Sequence, residues 1–282
     1  MKTRITVVTP SYNQADFLER TILSVLSQRE CVYEYFVLDG GSTDGSVDII
    51  KRYADQIDWW MSEKDKGQSD AIHRGFARAT GDILCWINSD DLLLPGALKR
   101  VQAAFDADPT TDIIAGYLAL IDADDKIMSL PRVPGGNTFF AQHGLVQVSQ
   151  QSTFFRRALY EKVDGLDLSL HCAMDLDLWS RFYSKAAKWR RLPVHLAAFR
   201  KHGNAKGSGN AWWERYQEEK ALVWERYPEL FGNKNIRQGA IALYRGWQIV
   251  SGRQLRAMWD TTKSRGKPVT EIFGEFGDHG LL

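Results

Sequence analysis

Cysteine is scarce in this chain, and what there is cannot form a framework. Cys31, Cys85 and Cys172 are odd in number and far apart. With no Cys-x-x-Cys among them, a zinc ribbon or dithiol redox centre is excluded, and buried thiols in a reducing compartment are expected. Long apolar runs are also missing, and none approaches the roughly 20 residues needed to cross a bilayer. A strand begins almost at the first residue, so no signal peptide is expected and the protein is expected in the cytoplasm. Net charge is nearly absent at +1 over 282 residues, so nucleic acid is not expected as a partner. After the first strand there is no Gly-x-Gly-x-x-Gly, which removes a dinucleotide-dependent dehydrogenase. The Gly- and Arg/Lys-rich phosphate loop of a sugar nucleotidyltransferase is missing from the same place. Internal repeats and low-complexity tracts are absent as well.

What is there centres on residues 81–91, Gly-Asp-Ile-Leu-Cys-Trp-Ile-Asn-Ser-Asp-Asp. Ile83 to Ile87 reads as a strand buried on both faces. It ends abruptly in Asn88, Ser89, Asp90 and Asp91. Ionised acids are costly to bury unless something positive meets them, and the carboxyl end of a strand in an open α/β sheet is where ligands bind. Hard oxygen donors there suit Mg²⁺ or Mn²⁺ beside a diphosphate. The plainer reading is a turn capping a helix that starts at Pro95.

The first half alternates strand and helix. Strands are expected near Ile5–Thr9, Tyr35–Leu38, Ile57–Met61 and Ile113–Tyr117. Helices are expected around Leu18–Leu26, Val47–Ile50, Ala71–Ala79 (with Gly81 as its C-cap) and Pro95–Phe105. That alternation predicts a mostly parallel sheet flanked by helices. Its polar strand tails, beginning at Thr9, Asp39, Glu63 and Asn88, would then meet along one edge as a single site. Past Asp122 the alternation breaks down. A Pro/Gly-rich loop (131–137), a polar strand (147–155), a helix from Asp175 and a strand at Val194–Phe199 follow, and the chain reads as helical from about 207.

Six pieces in order resemble the inverting family-2 glycosyltransferases: Thr9-Pro10-Ser11-Tyr12-Asn13, Leu38 to Gly45, Glu63 to Ala71, Asn88 to Asp91, Ala173 to Trp179, and Arg200-x-His202. The match looks closest to bacterial enzymes of cell-surface polysaccharide synthesis. The resemblance implies a GT-A nucleotide-sugar-binding fold over 1–206, with a donor half to about 122 and an acceptor half beyond. A helical extension over 207–282 would follow. It also implies roles. Thr9, Pro10 and Tyr12 would hold the nucleobase, with Asp39 accepting from a uracil or thymine imide. Asp65, Gly67 and Asp70 would close on the ribose and donor, with Lys66 undecided. Asn88 and Ser89 would hold the nucleotide, while Asp90 and His202 would ligate Mn²⁺ or Mg²⁺, supported by Asp91. Arg200 and Lys206 would meet phosphate. Asp175 would be the base that deprotonates the acceptor, at a helix start where an anion is favoured. Gln150, Gln151 and Asp167 would shape the acceptor side. Three departures stand out: Gly40 replaces a second acid, Asn88 the first acid of the metal motif, and Met174 a Glu.

The implied partners are a nucleoside-diphosphate sugar and a glycan or polyprenyl-linked acceptor. A non-catalytic sugar-nucleotide or glycan binding module is the rival. A glycoside hydrolase would also use two carboxylates but would not need the nucleotide loops. Between Glu229 and Asp260 there is no acid, whereas Lys234, Arg237, Arg245, Arg253 and Arg256 interleave with apolar and aromatic residues. Such a stretch, about 236–259, can lie on an anionic membrane surface. It can also pack on the catalytic domain or a second subunit, which is the preferred expectation.

Overall fold

The computed structural model describes residues 2–132, 140, 141, 143, 148–203, 210–231 and 234–276. Lys206, Gln147 and residues 133–137 of the Pro/Gly-rich loop lie outside them. A nine-stranded sheet forms the centre, in the order β3-β2-β1-β4-β8-β6-β9-β5, with β7 on the side of β6. Strands β1 (Ile5–Ser11), β2 (Tyr33–Asp39), β3 (Trp59–Ser62) and β4 (Ile83–Trp86) are mutually parallel. Their register sets Val8 beside both Phe36 and Trp86, so the four strand tails leave the sheet at one edge.

Alternate side chains fill two cores. Ile5, Val7, Ile83, Cys85 and Ile87 pack against α1 (Ala15–Leu26) and α4 (Ala97–Ala107). Val8, Leu84 and Trp86 face α3 (Gln68–Arg78) and the later helix α6 (Met174–Ser184). Trp86 stacks on Trp179 with centroids 5.9 Å apart, and Phe76 and Phe155 meet it edge-on. A strand buried on both faces needs such an unbroken apolar run. Burial pushes the Cys85 thiol well above its ordinary pKa, so it stays protonated.

Beyond β4 the sheet becomes mixed. β8 (Thr153–Arg156) runs antiparallel between β4 and β6 (Ile113–Ile121). β9 (Trp189–Arg200) is parallel to β6, and β5 (Leu92–Leu93) pairs antiparallel with β9. β7 (Ile127–Ser129) is a short antiparallel partner of β6. The leucines after Asp91 therefore form an edge strand before α4 begins. Gly81 is not the cap of α3, whose C-cap is Ala79. A Cβ at Gly81 would lie 2.6 Å from the Thr6 hydroxyl and 2.8 Å from the Thr6 nitrogen, so the residue is glycine because β1 passes there.

The remaining helices are α2 (Ser46–Arg52), α5 (Arg157–Lys162), α7 (Asn210–Arg226), α8 (Pro228–Phe231), α9 (Lys234–Val250), α10 (Arg253–Ser264) and α11 (Val269–Phe273). Helix α7 packs on the start of α6, so the region after residue 206 helps to build the wall of the cleft described next.

Candidate active site

The four strand tails enclose a cleft of about 890 Å³. At one end Pro10 and Ser11 finish β1 and Tyr12 follows them, with Gly40 and Gly41 from the tail of β2 lining the same part. The Tyr12 side chain is 63% exposed, an open ring face of the kind a nucleobase stacks on. Lys64, Asp65, Gly67 and Gln68 form the next wall, and Asn88, Ser89 and Asp90 the floor. His171 and Cys172 precede α6, and Trp212 and Arg215 come from α7 to complete the far end.

Several expected site residues work underneath this surface. Thr9 is buried, and its hydroxyl accepts from Tyr35 Oη at 3.0 Å. Asp39 is also buried, and its carboxylate accepts from the Gly41 and Ser42 nitrogens and from the Ser42 and Ser62 hydroxyls. These bonds brace the loop after β2, and Asp39 is not among the residues that line the cleft. Ser42 in turn accepts from the Asn13 nitrogen at 2.8 Å, tying the first two loops together. Asp70 pairs with Arg74 at 2.9 Å and accepts from the Lys66 nitrogen, so it shapes the turn before α3. Gln150 donates to the Trp86 carbonyl and Gln151 to Asp91, both inward from the cleft. Asp167 pairs with Arg226 at 2.6 Å on the outside of α6.

Asp65 lies against Gly40. A Cβ on Gly40 would sit 2.8 Å from Asp65 Oδ2 and 3.2 Å from Oδ1. The carboxylate thus fills the space where the family often carries an acid at position 40. Asp65 Oδ1 accepts from the Gly67 nitrogen at 2.8 Å, which fixes its orientation. The cleft therefore has an acid beside Gly40, reached from a different loop.

At the floor, Asn88 accepts from Gln68 Nε2 at 2.6 Å and donates to Asp91 Oδ2 at 3.1 Å. Asp91 is fully buried and also accepts from Gln151 and the Arg200 nitrogen. Burial, and secondarily the charge of Asp90, raises its pKa well above the carboxylate range. Arg200, expected to meet phosphate, is 1% exposed. Its guanidinium donates to the carbonyls of Asp90, Asp122 and Ala123, pairs with Asp125 and lies over the Phe17 ring. It holds the Asp90 loop in place from behind. Asp90 itself faces the cleft, with His202 Nε2 3.1 Å from its Oδ2. His202 arrives from the end of β9 and is pinned against Phe17, with ring centroids 4.3 Å apart. The pair supplies one carboxylate oxygen and one imidazole nitrogen, and no group of three His, Cys, Asp or Glu side chains stands together among the described residues.

Asp175 lies half-buried in the first turn of α6, just beyond His171 and Cys172. Its charge helps raise the pKa of Tyr216 on α7, after burial of that phenol. Asp177, the alternative acid, is locked inside by Arg181 at 2.7 Å and the Tyr227 hydroxyl at 3.2 Å. Cys172 is not a core thiol, since it lines the cleft. The most informative residue that sequence reading missed is Glu219. Its buried carboxylate accepts from the backbone nitrogens of His171, Cys172 and Ala173, at 2.7–3.1 Å. Arg215 flanks it at 3.0 Å. Burial alone would raise the pKa of Glu219, yet the three backbone N–H bonds outweigh it and hold the acid below its ordinary value. An acid in a polar helix gives no sequence signal for this; the aromatic cluster around Trp212 was the only hint that α7 matters here.

The sequence profile described as glycosyl transferase family 2 matches residues 6–174, more than half of the chain. The chain belongs to that family. It is 32% identical over 176 residues to an uncharacterized glycosyltransferase of Mycobacterium tuberculosis, a match covering 61% of this chain and 65% of that protein. It is 28% identical over 204 residues to a PGL/p-HBAD biosynthesis glycosyltransferase of Mycobacterium bovis, covering 70% of this chain and 77% of the relative. The first match thus spans slightly less than two thirds of the relative's length. Two solved structures share the fold. Staphylococcus aureus TarS 1–349, in complex with UDP, superposes with TM-score 0.63 at 16% identity, covering 89% of this chain and 72% of that one. The mannosyltransferase PcManGT of Pyrobaculum calidifontis, with GDP-Man and Mn²⁺, gives 0.61 at 18% identity, covering 96% and 79%. The GT-A architecture expected from the sequence is thereby shown.

Proposed function

We propose that this family-2 glycosyltransferase is a metal-dependent, inverting enzyme. It would move a hexose from a nucleoside diphosphate, UDP or dTDP, to an acceptor hydroxyl on a glycan or lipid-linked glycan of the cell surface. The observation that carries this reading is the single cleft running from the open Tyr12 ring, past Asp65 and Asn88, to the Asp90–His202 pair and the start of α6. A nucleobase, ribose, diphosphate and sugar laid end to end would meet these groups in that order. The UDP and GDP-Man complexes of the structural neighbours support a nucleotide-sugar donor, and the Mn²⁺ in the second supports a divalent cation. Mn²⁺ or Mg²⁺ held by Asp90 and His202 would supply charge stabilisation to the departing diphosphate. With Arg200 turned inward, Lys64 and Arg215 are the Lys/Arg side chains lining the cleft among the described residues. Lys64 would meet the nucleotide and Arg215 the acceptor end.

Asp175 would accept the proton of the acceptor hydroxyl as that oxygen bonds to the anomeric carbon. The bond from that carbon to the diphosphate oxygen breaks on the opposite face, which inverts the centre. Removal of the proton matters because a neutral hydroxyl is a weak nucleophile at neutral pH.

The test is thermal stabilisation by UDP, dTDP, GDP and CDP, each with Mn²⁺, Mg²⁺ or EDTA. Ligand at 100 times its Kd stabilises by about 2.7 kcal/mol, a rise of roughly 5–10 °C for a protein of this size. The expected result is a shift with a uridine or thymidine diphosphate that disappears with EDTA and in Asp90→Ala. Asp175→Asn should keep that shift but lose sugar transfer. A cooperatively melting protein that no nucleotide stabilises would overturn the reading and leave a glycan-binding module.

A further inference from the structure

The last two long helices have two faces of opposite character. On α9, Ala240, Tyr244 and Trp247 point inward and enclose Phe140. On α10, Asp260 pairs with Arg132 at 2.6 Å, and the Thr261 hydroxyl accepts from the Leu130 nitrogen. Packing on the body of the protein, the preferred expectation for this region, is therefore satisfied by these residues. It leaves the outer side of the two helices exposed. Along α9, Leu243, Ile249 and Val250 are exposed: Ile249 lies across the helix from Ala240, Tyr244 and Trp247, and Leu243 and Val250 border that packed side. Leu255, Met258 and Trp259 follow at helical spacing on α10. All six are at least 50% exposed, and Val250, beside the Gly252 turn that joins the helices, reaches 87%.

The charge around this face has one sign. No acid occurs between Glu229 and Asp260. Arg245 and Arg256 are exposed and make no ion pair with any described residue, and the Lys263 ammonium lies 4.4 Å from the centroid of the Trp259 ring. An apolar stripe bordered by arginine, with an indole at its rim, matches the acyl–headgroup boundary of an anionic bilayer. A second copy of this chain fits less well, because a two-fold contact would set the same arginines against one another. No helix among the described residues is long and apolar enough to cross a membrane, so the contact is with the surface.

We infer that α9 and α10 form a membrane-docking face that seats the protein on anionic lipid through Leu243, Val250, Leu255, Met258 and Trp259. Arg245 and Arg256 supply the selectivity for negative headgroups. This inference stands apart from the transfer reaction, since it rests on neither the donor cleft nor the family. If it holds, the cleft is held near acceptors that are carried on lipid.

Flotation of the full chain with vesicles tests it, using phosphatidylcholine alone and phosphatidylcholine with 30% phosphatidylglycerol. Anionic vesicles should bind at least tenfold more tightly, with the difference shrinking as salt rises. Each arginine near the surface is worth about fivefold, so Arg245→Gln with Arg256→Gln should cost roughly 25-fold on anionic vesicles. Val250→Ser with Leu255→Ser and Met258→Ser should abolish flotation. Because all these side chains are exposed, the melting temperatures should stay at the wild-type value, which separates lost docking from lost folding. A well-folded wild type that ignores anionic vesicles, or binds both kinds equally, would overturn the inference. So would a dimer in solution that the serine variant dissociates, because the face would then belong to a second copy.

Discussion

Replacing Glu219 by glutamine tests whether α7 is part of the catalytic framework. The wild-type carboxylate serves three consecutive backbone N–H groups immediately before α6, at 2.7–3.1 Å. Hydrogen bonds to a charged acceptor are worth about 1.5–3 kcal/mol each, against 0.5–1.5 for neutral ones. All three N–H groups reach the same oxygen, Oε2, so a glutamine can keep them as partners, but it replaces their charged acceptor with a neutral one and sets its amide nitrogen against Arg215 and the shared His171 N–H. Arg215 is half exposed and is discounted, since such a pair contributes little. The expected loss is about 3–4 kcal/mol, or a fall in Tm of roughly 6–16 °C, read by calorimetry or urea melts at neutral pH. The sign of the pH dependence follows from the lowered pKa of Glu219. A depressed carboxylate contributes stability above its unfolded value of about 4.3, and loses it as pH falls through the folded value. The gap between wild type and variant should therefore be constant above about pH 5 and close below that. Turnover should fall more than donor affinity, because the disturbed segment leads into Asp175 and lies away from Tyr12. A variant within 2 °C of wild type at neutral pH would refute the reasoning, as would a gap that widens in acid.

Asp65→Asn should weaken uridine diphosphate binding by about tenfold, the loss of one good acceptor, and narrow the gap to cytidine diphosphate, whose base presents an acceptor at the same edge; Asp39→Asn should lower Tm more than it changes this preference. Gly40→Asp should be impaired in nucleotide binding, since its carboxylate would meet that of Asp65, and Gly40→Asp with Asp65→Ser should recover part of it. His195 is held down to about 4, chiefly by burial, with the Arg132 charge adding to it against the Pro131 carbonyl and Asp260. Its neutral form is the folded one, so stability should be full above about pH 6.5 and decline as pH falls toward the folded value, by up to about 3 kcal/mol. His195→Phe should flatten that limb in pH-dependent melts.

The parallel half of the sheet was legible because its signals are local. A buried strand such as Ile83–Ile87 announces itself by an unbroken apolar run, and the polar tail after it follows directly in the chain. That the four tails form one cleft follows from parallel pairing alone. Strand direction past β4 was not legible, since the short apolar run of β8 reads alike whether it runs with or against β4. Function within the loops was least legible, because it depends on partners distant in sequence. Arg200 has the residue type and neighbours of a phosphate ligand, yet the carbonyl it meets is 110 residues away at Asp90. Gln151 and Asp91 are 60 apart, and Glu219 lies 46 to 48 residues beyond the nitrogens it caps. A guanidinium on the last turn of β9 can point to the cleft or to the interior, and only the fold decides which.

The three departures from the family pattern share a physical cause. At position 40 an acid is missing, and the space beside it holds the Asp65 carboxylate. At position 88 an amide replaces an acid, and its nitrogen donates 3.1 Å to the buried Asp91. A carboxylate there would confront the buried Asp91 at close range, which favours a proton on one of the two. Position 174 is buried, and Met174 packs in the core with its sulfur accepting from the Ser69 hydroxyl at 2.8 Å. A glutamate in that pocket would need a cation that its neighbours do not provide. In each case the chain lacks an acid where another acid or the apolar interior already stands. The departures thus follow from where Asp65, Asp91 and the α3–α6 contact lie, and do not by themselves mark a weakened site. Asn88→Asp is the substitution that would expose this, by placing a second carboxylate about 3 Å from the buried Asp91, where like charges disfavour ionisation of both. Its cost should ease as pH falls and one of the two acids is neutralised.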